Sequence, residues 1–231
     1  MKKFLLVLLC GIFSTAVYAQ LDVQLHYLFV KNEKARLLST VEYFNADTWG
    51  STYFFIDMQY GVAKNLHGVN LAYWEITRNL KFWKSPFEIH LEYDGGFGEY
   101  EATPYIGAFQ INNAWLFGGQ YTWANSNFSK MFTLQIMYKF IRFANYPSFQ
   151  ITGVWNLLFF NKKLTLSGFF DFWKEKKVFA GGNTGYVFNT QPQFWYNVGK
   201  HLSLGTEIEI EDHLVVKEFR IDPTIAAKWT F

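Results

Sequence analysis

The stretch TIAAKWTF, residues 224–231, decides the fold because its side chains alternate along the chain. The apolar parity consists of Ile225, Ala227, Trp229 and Phe231. The other parity consists of Thr224, Ala226, Lys228 and Thr230. Successive side chains of a β-strand point to opposite faces, so the stretch predicts a strand with one apolar face. Terminal residues usually fray, and an aromatic residue at this end indicates a strand paired along its whole length.

The same alternation recurs through the chain, for example over 69–82, 130–141 and 201–211. Helical spacing of apolar residues at i, i+3 and i+4 is scarce. The pattern predicts twelve strands, near 22–30, 37–45, 51–62, 69–83, 87–95, 112–124, 130–142, 149–159, 164–175, 186–197, 201–211 and 217–231. Most connections are short and polar, and the two long ones cover about 96–111 and 176–185. The glycine-rich stretches GGFG (95–98) and AGGNTG (180–185) are interpreted as turns because neither precedes a helix that could cradle phosphate.

The length of these segments favours a transmembrane barrel over a soluble β-sandwich. A membrane-spanning strand needs about 9–11 residues, whereas strands of soluble proteins average about five or six. Tryptophans near segment ends suit the aromatic girdles of such barrels. An open strand edge is too costly in lipid, so the last strand must pair with the first. We therefore predict an all-β, antiparallel, up-and-down transmembrane β-barrel, most simply of 12 strands, closed by the strand that ends in Phe231.

The first twenty residues, MKKFLLVLLCGIFSTAVYAQ, have the layout of a cleaved secretory signal. The expected domains are a signal peptide over 1–19 and an outer-membrane β-barrel over 20–231. Removing Lys2 and Lys3 leaves 19 basic residues against 19 acidic ones, which argues against nucleic acid as a partner. Cys10, the single cysteine, would leave with the signal. The terminal aromatic strand also resembles the signal that the barrel assembly machinery recognises, so the predicted location is the bacterial outer membrane, with its lipid and lipopolysaccharide as partners.

If the apolar faces meet lipid, the polar faces line the lumen, and these contain aromatic rings beside acids. The predicted pore-lining residues are Tyr53, Phe55, Asp57, Glu75, His90, Glu92, Phe169, Asp171, Trp173, Gln193, Trp195 and Glu207. A ring offers a face on which a base can stack, and a carboxylate accepts hydrogen bonds from hydroxyl or amine groups. This combination suits a neutral, ring-bearing, hydroxylated solute such as a nucleoside. The same residues could also fill a narrow barrel with paired charges.

Several long stretches resemble the nucleoside-specific channel-forming outer-membrane porin family (Tsx-like), in its Bacteroidetes branch. They are WGSTYFFIDMQY (49–60), AYWEITRNLKFW (72–83), TLSGFFDFW (165–173), PQFWYNVGKHLSLGTEIEI (192–210) and AAKWTF (226–231). The resemblance covers nearly the whole mature chain and is weakest at 96–111 and 176–185. It implies a monomeric twelve-stranded barrel with a narrow, aromatic-lined channel for nucleosides. Many members of this branch have no assigned function. The resemblance therefore supports the class of protein, an outer-membrane channel, better than it supports the ligand.

Other functions stay open at this point: a general diffusion pore, a structural barrel with a plugged lumen, or an outer-membrane phospholipase or protease. Among the five histidines, His90 lies between Glu88 and Glu92, which could suit acid–base chemistry. However, the chain has no GxSxG stretch and no Ser-His-Asn signature, so we expect no enzymatic activity. Carboxylates at strand spacing are typical of any polar lumen, and we expect neither a metal site nor another cofactor.

Overall fold

The computed structural model describes residues 20–30, 34–61, 68–102, 104–179 and 182–231. The predicted signal, residues 1–19, lies outside the described residues. The strands are β1 (Gln20–Leu28), β2 (Arg36–Asp47), β3 (Gly50–Tyr60), β4 (Val69–Leu80), β5 (Phe87–Ala102), β6 (Tyr105–Ala124), β7 (Lys130–Ile141), β8 (Ser148–Phe159), β9 (Leu164–Trp173), β10 (Lys177–Phe179), β11 (Gly182–Thr184), β12 (Val187–Thr190), β13 (Gln193–Asn197), β14 (Leu202–Asp212) and β15 (Phe219–Thr230).

The long strands form one closed antiparallel barrel. Each of β1 to β9 pairs with the next in sequence, and β14 pairs with β15. Strands β12 and β13 follow one another in a single position between β9 and β14, while β10 and β11 form a separate hairpin. The barrel therefore has 12 strand positions, as predicted.

The pairing of β1 with β15 closes the barrel and explains the ordered final strand. Their register runs from Asp22 opposite Thr230 to Leu28 opposite Thr224. The backbone N–H of Phe231 donates to the carbonyl of Leu21 at 3.0 Å, so pairing continues to the last residue of the sequence. Closure was predicted because an open strand edge is too costly in lipid. The pairing of β1 with β15 leaves the barrel sheet without an unpaired edge strand, as that prediction requires.

The outer face of the barrel is apolar. Ile136 on β7 and Ile225 on β15 are 61% and 66% exposed, and neighbouring strands present further Leu, Phe, Tyr and Trp side chains outward. Soluble monomers rarely expose contiguous apolar patches larger than a few hundred Å². The exterior is therefore that of a transmembrane barrel. Separately, no helix among the described residues is long and apolar enough to span a membrane.

Two of the expected connections are different in the structure. The segment 96–111 is not a loop, because β5 and β6 continue through it as a hairpin whose strands end at Ala102 and begin at Tyr105. GGFG (95–98) therefore lies within β5 rather than in a turn, beside a register shift between Asp94 and Gly96. The segment 176–185 contains the hairpin of β10 and β11. The tenth predicted strand, 186–197, is interrupted at 191–192, where Pro192 lacks the N–H that a ladder needs.

The barrel has a turn end and a loop end. The turn end contains the start of β1, the end of β15 and the short connections 48–49, 81–86, 125–129, 160–163 and 198–201. The loop end contains the longer connections and the protruding β5–β6 and β10–β11 hairpins. The β5–β6 and β10–β11 hairpins therefore lie at the end of the barrel opposite the start of β1 and the end of β15.

Gly50, the first residue after the β2–β3 turn, allows a test of this two-residue connection. Its φ is +138°, which L side chains rarely adopt, and an added Cβ would meet the carbonyl oxygen of Asn79. We expect Gly50→Ala to lower the free energy of unfolding by about 1–3 kcal/mol, the usual cost of a strained backbone conformation. The measurement is a urea titration in lipid vesicles. Gly199→Ala is the matched control, because a Cβ there meets nothing within 4 Å. Equal stability of the two variants would contradict the assignment of strain to Gly50.

Candidate functional site

The turn end leads into a large cavity, here called the lumen cavity, of about 1710 Å³. Its walls include the turns at 81–86 and 199–200 and continue inward to Asp57, Glu75 and Asp171. All of these barrel residues belong to the inward parity of their strands. The cavity is therefore the part of the lumen that a solute could enter from the turn end.

One wall of the lumen cavity combines aromatic rings with carboxylates. The ring of Phe55 on β3 lies 6.2 Å from that of Tyr53 and 5.9 Å from that of Tyr73. The Tyr53 hydroxyl donates to Glu42 Oε1 at 3.0 Å, and the Tyr73 hydroxyl donates to Glu75 Oε1 at 2.7 Å. The tyrosines thereby orient two carboxylates on either side of the Phe55 ring.

Asp57, two residues further along β3, accepts a hydrogen bond from Thr40 Oγ1 at 2.5 Å. It also lines the lumen cavity. The aromatic-plus-acid pattern that the sequence shows on β3 is therefore present on one continuous face.

A second aromatic-plus-acid pair lies on the opposite wall. Phe169 and Asp171 of β9 both line the lumen cavity, and five strand positions separate β9 from β3 in each direction around the barrel. Asp171 accepts hydrogen bonds from Thr152 Oγ1 and, at 3.3 Å, from Gln150 Nε2. Next to this pair, Gln193 Nε2 donates to Glu207 Oε2 at 2.5 Å. The ring and carboxylate of β9 therefore face those of β3, Phe55 and Asp57, across the lumen.

Charge is unevenly distributed along the lumen cavity. Eight acidic and five basic residues line it. Four of the basic residues, Lys81, Lys84, Lys162 and Lys200, lie in the turns at its mouth. The fifth, Lys228, lies inside on β15. The interior is therefore predominantly acidic and the rim is basic.

Three predicted pore-lining residues face inward but do not form the cavity wall. The His90 side chain is 0% exposed, with Nδ1 2.9 Å from Asn79 Oδ1 and Nε2 3.0 Å from Glu92 Oε2. Trp195 is also 0% exposed, beneath the Lys228 ammonium at 4.2 Å from its ring. Trp173 is buried and donates from Nε1 to Glu175 at 2.7 Å. These bulky side chains fill the barrel instead of contacting the lumen cavity. The other nine predicted residues line it: Tyr53, Phe55, Asp57, Glu75, Glu92, Phe169, Asp171, Gln193 and Glu207.

The burial of His90 also bears on the enzymatic hypothesis. A general base must reach the proton that it abstracts, directly or through one water. Both ring nitrogens of His90 contact protein groups, and its side chain has no exposed surface. The histidine that the sequence singled out for acid–base chemistry is therefore structural in this arrangement.

Beyond the lumen cavity, toward the loop end, an apolar cluster occupies the β6–β9 side of the barrel interior. Its buried members are Ala114, Leu116, Met137, Ile141, Trp173 and Val187. Ala144 and Leu214 from loop-end connections pack against them. Lys177 of the β10–β11 hairpin donates to the Leu214 carbonyl at 2.7 Å, which ties that hairpin to the cluster. The lumen is thus filled on this side above the cavity.

Sequence reasoning missed Glu42 and Lys228 as wall residues. Glu42 lies on β2, where Leu38 and Phe44 share its inward parity and Ser39 and Asn45 point outward. Polarity therefore does not mark the inner face of this strand. Lys228, in contrast, stands on the polar parity of the closing strand, and that parity alone could have identified it.

Comparison with known proteins identifies the fold and the family. The chain resembles a solved structure described as "KdgM porin", with a TM-score of 0.52, 13% identity, and coverage of 92% of this chain and 99% of that chain. It also resembles "KdgM porin in complex with disordered oligogalacturonate", with a TM-score of 0.50, 12% identity, and coverage of 92% and 99%. At these identities the structural likeness shows a shared barrel fold alone, and neither description mentions nucleosides. No curated protein sequence matches the chain. Residues 19–231 match the family described as "Domain of unknown function (DUF5020)", and the chain belongs to that family.

Proposed function

We propose that the protein is a bacterial outer-membrane channel that takes up small neutral solutes, in particular nucleosides. The observation that carries the proposal is the pair of opposed walls in the lumen cavity, each with a ring beside a carboxylate. In this proposal the chain is a monomer surrounded by outer-membrane lipid and lipopolysaccharide, and the barrel assembly machinery inserts it through its last strand. Solute movement is passive, and no chemical step is assigned to any residue.

The chemistry of the walls supports a nucleoside as the solute. Phe55 and Phe169 offer apolar ring surfaces, and stacking of a base on such a ring contributes about 1–3 kcal/mol. Glu42, Asp57 and Asp171 offer acceptors for ribose hydroxyls and for exocyclic amines. A cavity of about 1710 Å³ has room for such a solute and its water.

The acidic interior also makes a polyanionic solute a poor candidate. One solved relative in fold is described in complex with oligogalacturonate, a polymer of sugar acids. Eight acidic residues in the lumen cavity would repel such a chain, and only Lys228 among the basic wall residues lies away from the mouth. Like charges brought together in a site of low dielectric are strongly unfavourable. The proposed solute therefore differs from that of the fold relative.

The test is single-channel recording in a planar bilayer, with titration of adenosine, thymidine and glucose. We expect small channels that nucleosides block and glucose does not. Phe55→Ala and Phe169→Ala should each weaken the block by about 5- to 150-fold, the equivalent of about 1–3 kcal/mol of lost stacking. The matched controls are Phe54→Ala and Phe170→Ala, which remove rings of the outward parity on the same strands. These controls should leave the block unchanged.

Other outcomes of the recording lead to different functions. Channels that respond to no solute would indicate a general diffusion pore. Equal effects of the inward and outward substitutions would contradict a stacking site at Phe55 and Phe169.

A second candidate function, a structural barrel that conducts nothing, is favoured by the apolar cluster above the lumen cavity. Transport requires the loop-end half of the barrel interior to open beside buried residues such as Leu116 and Met137. A channel should therefore conduct better when this cluster is reduced. We expect Leu116→Ala to raise single-channel conductance. Zero conductance of both the wild type and Leu116→Ala would support the structural barrel instead.

A further inference from the structure

Three carboxylates on two neighbouring strands converge at the inner end of the lumen cavity. Glu75 lies on β4, and Glu92 and Asp94 lie on β5. The register places Asp94 opposite Glu75 and Glu92 opposite Thr77, so the three side chains are inward neighbours. One oxygen from each of them can be chosen so that all three oxygens lie within 4.8 Å of one another. We call this group the acid triad.

Each member of the acid triad has one oxygen engaged by a protein donor. Glu75 Oε1 accepts from the Tyr73 hydroxyl at 2.7 Å. Glu92 Oε2 accepts from Thr77 Oγ1 at 3.2 Å and lies 3.0 Å from His90 Nε2. Asp94 Oδ2 accepts from Lys139 Nζ at 3.2 Å. These contacts fix the carboxylates in orientation, so their remaining oxygens have defined positions.

Two of the remaining oxygens are buried without a hydrogen-bond donor. No donor among the described residues bonds to Glu92 Oε1 or Asp94 Oδ1, and the two residues are only 6% and 3% exposed. A buried acceptor without a partner costs about 1–3 kcal/mol, and more when it carries charge. The acid triad therefore contains two buried acceptor atoms that no donor of the described residues satisfies.

The charges around the acid triad do not balance. Lys139 forms an ion pair with Asp94. Its charge also acts on Glu92, Asp171 and Glu75. A single ammonium group, that of Lys139, thus interacts electrostatically with four buried carboxylates. Adjacent buried carboxylates cannot all ionise unless a cation compensates them.

We propose that the acid triad binds a divalent cation of the calcium class. Its donors are all carboxylate oxygens, the ligands that hard cations such as Ca²⁺ and Mg²⁺ prefer. Ca²⁺ suits the site better, because it accepts irregular geometry, whereas Mg²⁺ demands near-ideal octahedral coordination. Glu75 and Glu92 line the lumen cavity, so a cation can enter from it and water can complete the coordination. The bound cation would lie at the inner end of the lumen cavity.

The test is calorimetric titration of the folded protein in detergent with CaCl₂, MgCl₂ and MnCl₂, after removal of divalent ions with a chelator. Three carboxylates predict a dissociation constant for Ca²⁺ of about 10⁻⁴–10⁻³ M, as in weaker protein sites. The double variant Glu92→Gln/Asp94→Asn should weaken binding at least tenfold. Asp57→Asn is the matched control, because it removes another lumen carboxylate outside the acid triad. Its Ca²⁺ affinity should stay within twofold of the wild type.

Terbium gives a second readout that reports position. The Tyr73 hydroxyl bonds to Glu75, so a Tb³⁺ ion in the acid triad should show luminescence excited through this tyrosine. Ca²⁺ should displace it, and Tyr73→Phe should reduce the signal while binding persists in the calorimeter. If the double variant does not fold, Glu75→Gln replaces it, with the same expected tenfold loss. Absence of divalent-ion binding by the wild type, or unchanged binding by the triad variants, would overturn the proposal.

Discussion

Replacing Lys139 with methionine should lower the free energy of unfolding by about 3–5 kcal/mol, the cost of breaking a buried ion pair by removing one partner. Lys139 on β7 is buried, and its ammonium lies 3.2 Å from Asp94 Oδ2 and 2.6 Å from Gln150 Oε1. Methionine has a similar volume and is one atom shorter than lysine, and it leaves both acceptors without this donor. The loss therefore reflects charge and hydrogen bonding more than packing.

A double variant distinguishes the cost of leaving one buried charge unpaired from the cost of losing the ion pair as a whole. In Lys139→Met/Asp94→Leu both charges are removed, and replacing a whole buried pair by apolar residues is often neutral or stabilising. We therefore expect the double variant to be more stable than Lys139→Met alone. Lys200→Met is the control, because Lys200 lies exposed in a turn, where substitutions usually change stability by less than about 0.5 kcal/mol.

Urea titration in lipid vesicles, followed by tryptophan fluorescence, gives the free energies of unfolding for this cycle. A loss of less than 1 kcal/mol in Lys139→Met would contradict the prediction, because an uncompensated buried carboxylate costs more than that. It would show that Asp94 reaches water or another donor when Lys139 is absent. The charge imbalance on which the cation proposal rests would then be weakened as well.

Strands with one wholly apolar parity could be predicted from the sequence. On β7 the outward residues include Leu134 and Ile136, and the inward residues include Gln135 and Lys139, so period-two alternation identifies both the strand and its lipid face. The closing strand β15 behaves in the same way. The number of strands could be counted from these segments, because each strand of an up-and-down barrel pairs with the next strand along the chain.

The β5–β6 hairpin could not be predicted, because glycine usually indicates a turn and the reason for these glycines lies on neighbouring strands. The Trp74 ring of β4 occupies the space that a side chain at Gly95 would need. The Phe109 ring of β6 does the same at Gly98. The glycines therefore continue β5 under these rings, a relation that appears only once the register is known.

The residue types of the candidate site could be predicted from the sequence, but only some of the positions that line the cavity could be. Parity identified Phe55, Asp57, Phe169 and Asp171 as inward residues, and all four line the lumen cavity. Parity cannot distinguish an inward ring that lines a cavity from one that fills it, as Trp195 does beneath Lys228. That difference depends on how many large side chains share one level of the barrel. The pairing of Asp94 with Lys139 likewise follows from register across three strands.

Replacing Ile136 with arginine should lower the free energy of unfolding by about 2–4 kcal/mol, the cost of a charged side chain at the bilayer midplane on the lipid face of a barrel. Ile136 is 61% exposed and stands midway along the outward face of β7. Its outward neighbours are Leu134 and Tyr138, and the aromatic residues Phe132 and Phe140 lie nearer the strand ends. The position therefore lies where the surrounding lipid offers arginine the least water.

The same substitution at Val178 serves as the control. Val178 is 83% exposed in the β10–β11 hairpin, beyond the loop end of the barrel. Arginine there should cost no more than about 0–1 kcal/mol, the value found near the membrane interface. The comparison by urea titration in lipid vesicles holds the side chain constant and changes only its depth. If the outer face of the barrel met water instead of lipid, Ile136→Arg would be as harmless as Val178→Arg, since both side chains are solvent-accessible and neither is packed in the barrel interior.

The loss of stability in Phe132→Arg, closer to the turn end on the same face, should fall between those of the other two variants, because the cost of arginine declines toward the interface.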